Sequence, residues 1–131
     1  MSGFRIAANT QTFSPPKRPA KKPAYLEYIR RLPCVVTGQY GVEAAHLSTA
    51  YPAYGHYGRG RGTKASDRWA LPLHPDEHRK QHSQNEMDYW NQTKINPHRL
   101  ALVLFGIWSD YDLDTAIERG TALIRAGRDC A

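Results

Sequence analysis

With 131 residues, 40% of them hydrophobic, the chain has room for one domain of common size plus a tail, which excludes a two-domain enzyme with its own cofactor fold. Its longest apolar stretch, Leu100 to Trp108, is interrupted by Gly106 and falls far short of the roughly 20 residues that cross a bilayer, so no membrane partner is expected. Lysine and arginine number 18 against 12 acids, a formal charge of +6, which favours polyanionic partners through counterion release.

Residues 1–23 contain Arg5, Lys17, Arg18, Lys21 and Lys22 and no acid, and Pro15, Pro16, Pro19 and Pro23 bar a helix from the second half. The composition predicts an extended basic arm, either touching a polyanion or simply solvated. It lacks the apolar segment of a secretory signal, and Cys34 and Cys130, far apart in the chain, make no disulfide framework. The expected compartment is a reducing cytoplasm.

The domain is expected over residues 24–131. Tyr25, Leu26, Ile29 and Leu32 recur near helical spacing until Pro33 stops them. Cys34 to Gly38 and Val42 to Leu47, separated by a glycine-containing turn, predict the two strands of a hairpin, with His46 near the end of the second. Residues 48–66 combine Gly55, Gly58, Gly60 and Gly62 with Tyr51, Tyr54 and Tyr57 and the cations Arg59, Arg61 and Lys64. A loop of this length without periodicity is functional or disordered. Trp69 to Leu73 reads as a short buried strand, and Pro75 with Asp76 and Glu77 opens a helix that runs through His78 and His82. Glu86 to Gln92 predicts a further turn or two of helix. Asn96 and Pro97 cap a helix carrying Leu100, Val103, Leu104 and Ile107 on one face. A last helix bears Leu113, Ala116, Ile117, Leu123 and Ile124, with Gly127 as its stop.

His78 and His82 stand four apart on the predicted helix, so both imidazoles leave one face and can close on a single metal ion. Alone, the pair reads equally as two solvated polar side chains. A metalloprotease would need glutamate after the first histidine to activate water, and Arg79 stands there. His56 and His98 have no neighbour at ligand spacing and read as surface histidines.

The order of the surrounding segments is more specific: CVVTG from Cys34, EAAHL from Glu43 through His46, KASDRWALPLH from Lys64 through Asp67 to His74, and HRKQH from His78 to His82. Together with NEMDYW from Asn85 and INPHRLA ending at Ala101, these resemble the HNH, or ββα-metal, nuclease superfamily, most closely its phage-associated, recombination-type members. The resemblance covers roughly Pro33 to Ala101. It implies an α+β fold: a small ββα-metal core with additional C-terminal helices and the N-terminal arm. It also implies a metal-dependent endonuclease hydrolysing phosphodiester bonds of duplex, single-stranded or branched DNA. His46 then matches the general base, and His78 and His82 match the ligands of one divalent ion (Mg, Mn, Zn or Ni). The division is chemically sound, because a neutral imidazole can take a proton from water near physiological pH while a cation neutralises charge on the phosphorane and leaving oxygen.

The sequence departs from the family pattern at three places. Ala45 stands where many relatives carry a further metal ligand, so either Asp67 or water completes the sphere, or His46 is itself a ligand and another group is the base. No asparagine lies between His46 and His78, and Asp67 is the candidate for an orienting or ligating role. Cys34 with Thr37 and His74 with Glu77 occupy the positions of two zinc-binding pairs, and two credible ligands do not close a tetrahedral site. Cys34 then reads as a small buried hydrophobe and His74 as a helix cap. Arg59, Arg61, Lys64 and Arg68 are the candidate phosphate contacts. The alternative function is a catalytically degenerate module that binds nucleic acid on the same fold.

Overall fold

A computed structural model describes residues 21–58 and 66–129, and among these the fold is α+β. Each helix begins where the sequence supplies a terminus. Pro23 occupies the first turn of α1 (Pro23–Arg30); the helix takes in the last residue of the proline-rich segment, since a proline at this position removes no helical hydrogen bond. His74 caps α2 (Pro75–His82), its Nδ1 accepting from the Asp76 N–H at 3.3 Å. Asn85 caps α3 (Glu86–Thr93) by accepting from the Met87 and Asp88 amides, and Asn96 caps α4 (Pro97–Asp110) by accepting from Arg99 N–H. Caps of this kind contribute about 1 kcal/mol each. The last helix, α5 (Leu113–Asp129), runs past Gly127 instead of stopping there.

The sheet differs from the hairpin predicted at residues 34–47. Strand β1 (Glu43–His46) pairs antiparallel with β2 (Ala70–Leu73), with Glu43 opposite Leu73 and His46 opposite Ala70. Cys34 to Gly38 is a turn. The Cys34 N–H donates to the Gln39 carbonyl, Gly38 N–H returns to the Cys34 carbonyl, and the thiol sulfur accepts from the Val36 and Thr37 amides at 3.4 Å each. Gly38 takes φ 79°, which a side chain disfavours. Valine pairs favour strands, but here the local bonds to Cys34 outcompete a ladder. The turn is fastened to β2 by Val35 N–H donating to the Pro72 carbonyl, and Cys34 is fully buried.

The core joins α1 to the sheet and to α4 and α5. Tyr25, Tyr28 and Ile29 of α1 and Leu32 just beyond it are inaccessible, as are Leu71 and Leu73 of β2, Leu104 of α4 and Ala116 of α5. Tyr25 packs edge-on against Phe105 and Trp108. Its hydroxyl and that of Tyr28 are buried without a partner among the described residues, and burial pushes both phenols far up. Gly120 lets α5 approach α1: a Cβ there would stand 2.7 Å from Tyr28 Oη. Among the described residues no helix is long and apolar enough to cross a membrane.

Candidate active site

The register of β1 and β2 sets His46 against the segment that enters β2. A 3₁₀ turn over Asp67–Trp69 leads directly into that strand, and it brings the Asp67 carboxylate to the His46 ring. His46 Nε2 donates to Asp67 Oδ1 at 2.8 Å, with both side chains 14% exposed. Asp67 Oδ2 accepts from the backbone N–H of Lys22, just ahead of α1, at 2.6 Å. Both carboxylate oxygens are thereby engaged and the carboxylate is fixed. An ionised carboxylate only accepts, so the ring proton lies on Nε2 and the neutral imidazole keeps its acceptor lone pair on Nδ1. This is the arrangement of a base oriented by an acid.

A second group forms at the other end of β1. Glu43 Oε1 accepts from His78 Nδ1 at 2.8 Å, which leaves His78 Nε2 unprotonated in the neutral ring. His82, one helical turn further along α2, places its Nε2 3.1 Å from that nitrogen, with ring centroids 4.7 Å apart. Two nitrogens each about 2.0 to 2.1 Å from one zinc ion at a tetrahedral angle would be about 3.3 Å apart. The pair therefore fits a two-nitrogen site for a divalent ion, with a carboxylate behind one ligand as is common for metal-bound histidine. Among the described residues no cluster of three or more His, Cys, Asp or Glu side chains could hold a metal, so water or phosphate oxygens would fill the remaining positions.

The loop leaving His46 is held from three sides. Glu86 of α3 accepts from the Ser48 and Thr49 amides. His56 Nε2 donates to the Leu47 carbonyl at 2.7 Å while its Nδ1 accepts from Gly58 N–H. His98 Nε2 donates to the Thr49 carbonyl at 2.7 Å. His56 and His98 are each 1% exposed and cluster with Trp69, so the expectation of surface histidines is corrected. Their hydrogen-bond partners are carbonyls of an irregular loop, which no residue spacing reveals.

His46 and Asp67 are thus brought together, as are His78 and His82. No hydrogen bond, ion pair or ring contact joins the two groups among the described residues; roughly 10 Å of strand separates the Cα atoms of Glu43 and His46, three residues apart. Arg68 lays its guanidinium over Trp69 and Phe105, 5.1 and 5.0 Å from the ring centroids. Arg59, Arg61 and Lys64 lie outside the described residues, as do residues 1–20 of the basic arm. Sequence reasoning assigned no part to Glu43, which sits within the quoted EAAHL segment, or to Glu86. Only their spatial partners show what they hold.

No curated protein and no solved structure matches the chain. A family described as "Protein of unknown function (DUF968)" matches residues 8–104, a span that takes in β1, β2, α2 and both histidine groups. The match extends over most of the chain, which therefore belongs to the DUF968 family.

Proposed function

We propose that the chain is a metal-dependent endonuclease that hydrolyses DNA phosphodiester bonds on an HNH-like ββα-metal core. The observation that carries this reading is the His46–Asp67 hydrogen bond, 2.8 Å long, in a carboxylate also held by a backbone amide. The succession of β1, β2 and α2, with His46 on β1 and His78 and His82 on α2, supports the finer fold reading.

In this mechanism His46 Nδ1 takes a proton from the attacking water, and the resulting imidazolium is stabilised by Asp67 through Nε2–H. His78 and His82 would hold the divalent ion, which would neutralise charge on the scissile phosphate and its leaving oxygen. Glu43 keeps the His78 proton on Nδ1 and so keeps Nε2 free as a ligand atom. Arg68, steadied by two aromatic rings, and Arg59, Arg61 and Lys64 would supply phosphate contacts. Each neutralised phosphate steepens the dependence of duplex binding on salt by about 0.9 in log–log slope.

The test is nicking of supercoiled plasmid with Mg²⁺, Mn²⁺, Zn²⁺ or Ni²⁺, with EDTA arrest and His46→Ala beside it. Metal-dependent nicking lost in that variant supports the proposal. No cleavage of duplex, single-stranded or branched DNA with any of these ions overturns it in favour of the binding-module reading.

A further inference from the structure

We propose that the cleft between Tyr51 and Lys94 binds an unpaired nucleobase together with its phosphate. The inference deepens the nuclease reading and rests on it for the identity of the polymer. The cleft has a volume of about 360 Å³ and its walls include Tyr51, Met87, Asn91, Lys94, Asn96 and His98. That size lies within the roughly 300 to 1,000 Å³ of small-molecule sites.

The wall chemistry selects the ligand. Tyr51 is 42% exposed, and its ring is set by stacking on Tyr54 at 4.8 Å and by a backbone bridge to His56. A fixed, accessible tyrosine is a platform on which any base can stack. Two side-chain amides, Asn91 and Asn96, carry the paired donors and acceptors that match a base edge; Asn96 spends its oxygen on Arg99 N–H and keeps its amide protons. Among the described residues no carboxylate lines the cleft and Lys94 makes no ion pair. His98 adds to the wall a buried Nδ1 that has no partner among the described residues. An aromatic, anionic ligand uses every one of these groups, the exposed Lys94 ammonium included.

The backbone supplies an independent observation. Lys94 is the one non-glycine residue with positive φ among those described, at 63°, and it ends α3 where glycine ordinarily stands. Holding a side chain in this conformation costs free energy, and such outliers gather at ligand clamps. The cleft also lies near the proposed chemistry. Tyr51 follows His46 by five residues, so their Cα atoms are at most about 18 Å apart, and a strand with its scissile phosphate at His46 can reach Tyr51 within a few nucleotides.

The experiment measures fluorescence anisotropy of a labelled oligothymidylate of about 12 nucleotides, within the span of known single-strand sites, and of an abasic oligonucleotide of equal length. Both are titrated with the full chain in EDTA. The parent protein is expected to prefer the oligothymidylate. Tyr51→Leu should weaken oligothymidylate binding about 5- to 100-fold and leave abasic binding unchanged. Lys94→Gly should weaken both and lower the salt slope by about 0.7, with an equal or higher melting temperature because glycine fits the left-handed position. Equal affinity of the parent for the two oligonucleotides, or unchanged oligothymidylate affinity in Tyr51→Leu, overturns the site. Plasmid nicking separates the two proposals. Base preference without cleavage removes the nuclease and leaves the site standing, and cleavage without base preference does the reverse.

Discussion

Glu43 and His78 meet across the junction of β1 and α2, carboxylate oxygen to Nδ1 at 2.8 Å, although 35 positions separate them in the chain. The bond decides which ring nitrogen of His78 is free, and it does so from a different element than the one bearing the histidine.

Replacing Glu43 by alanine is expected to lower divalent-ion affinity by about 10- to 100-fold, the usual cost of losing the carboxylate behind a ligating histidine. His82→Ala, which removes a ligand atom, should lower it at least as much. Isothermal titration with Mn²⁺ and Zn²⁺ reads both, with circular dichroism confirming an intact fold. Parental affinity in the two variants would remove the metal from this end of the strand.

At the other end, His46→Ala is expected to reduce nicking by about 10²- to 10⁴-fold while metal and DNA binding persist. Asp67→Asn should also lose on the order of 10²-fold or more, because the amide can donate to Nε2 and favour the tautomer whose proton blocks Nδ1. Loss of metal binding in His46→Ala would instead make His46 a ligand.

Burial pushes the His56 imidazole below its ordinary value of 6.5, against an upward pull from its bond to the Leu47 carbonyl. The neutral ring accepts from Gly58 N–H, and protonation of Nδ1 would break that bond. With the folded value below the unfolded one, this contribution to stability is complete above about pH 6.5 and is lost as pH falls through the depressed folded value. Melting temperature should therefore decline on acidification below about pH 6.5. His56→Gln should start lower, having lost bonds worth roughly 0.5 to 1.5 kcal/mol each, and decline less. An identical pH profile in the variant would contradict the assignment.

Gly120→Ala is expected to destabilise the fold by about 1 to 3 kcal/mol, the range for overpacking a core. Its Cβ would meet Tyr28 Oη at 2.7 Å and Leu32 Cδ2 at 3.1 Å, and both side chains are fully buried. Denaturant unfolding measures the effect, and a parental midpoint would show that α1 and α5 separate more easily than their packing implies.

Helices were the most legible part of the sequence, because their termini are written locally. The pairs His74-Pro75 and Asn96-Pro97 mark starts that depend on the neighbouring residues alone. The partner of β1 was not legible in the same way. Val35 and Val36 look like strand residues, but the choice between a ladder and a turn around Cys34 depends on β2, which arrives more than thirty residues later. The proximity of His46 to Asp67 and of His78 to His82 followed from motif order and helical spacing. Glu43, Glu86, His56 and His98 escaped because what each side chain holds is a distant ring, amide or carbonyl, and partners of that kind leave no periodic trace.

The anchoring of Leu47 to Thr49 by Glu86, His56 and His98 bears on how the molecule breathes. The Ser48 and Thr49 amides lie outside regular secondary structure, yet both donate to a carboxylate on α3, and the Thr49 carbonyl is held by α4. Their hydrogen exchange is therefore expected to follow release from α3 and not loop motion alone. The segment that carries the chain away from His46 opens, by this measure, with the helices that hold it and not as a free loop.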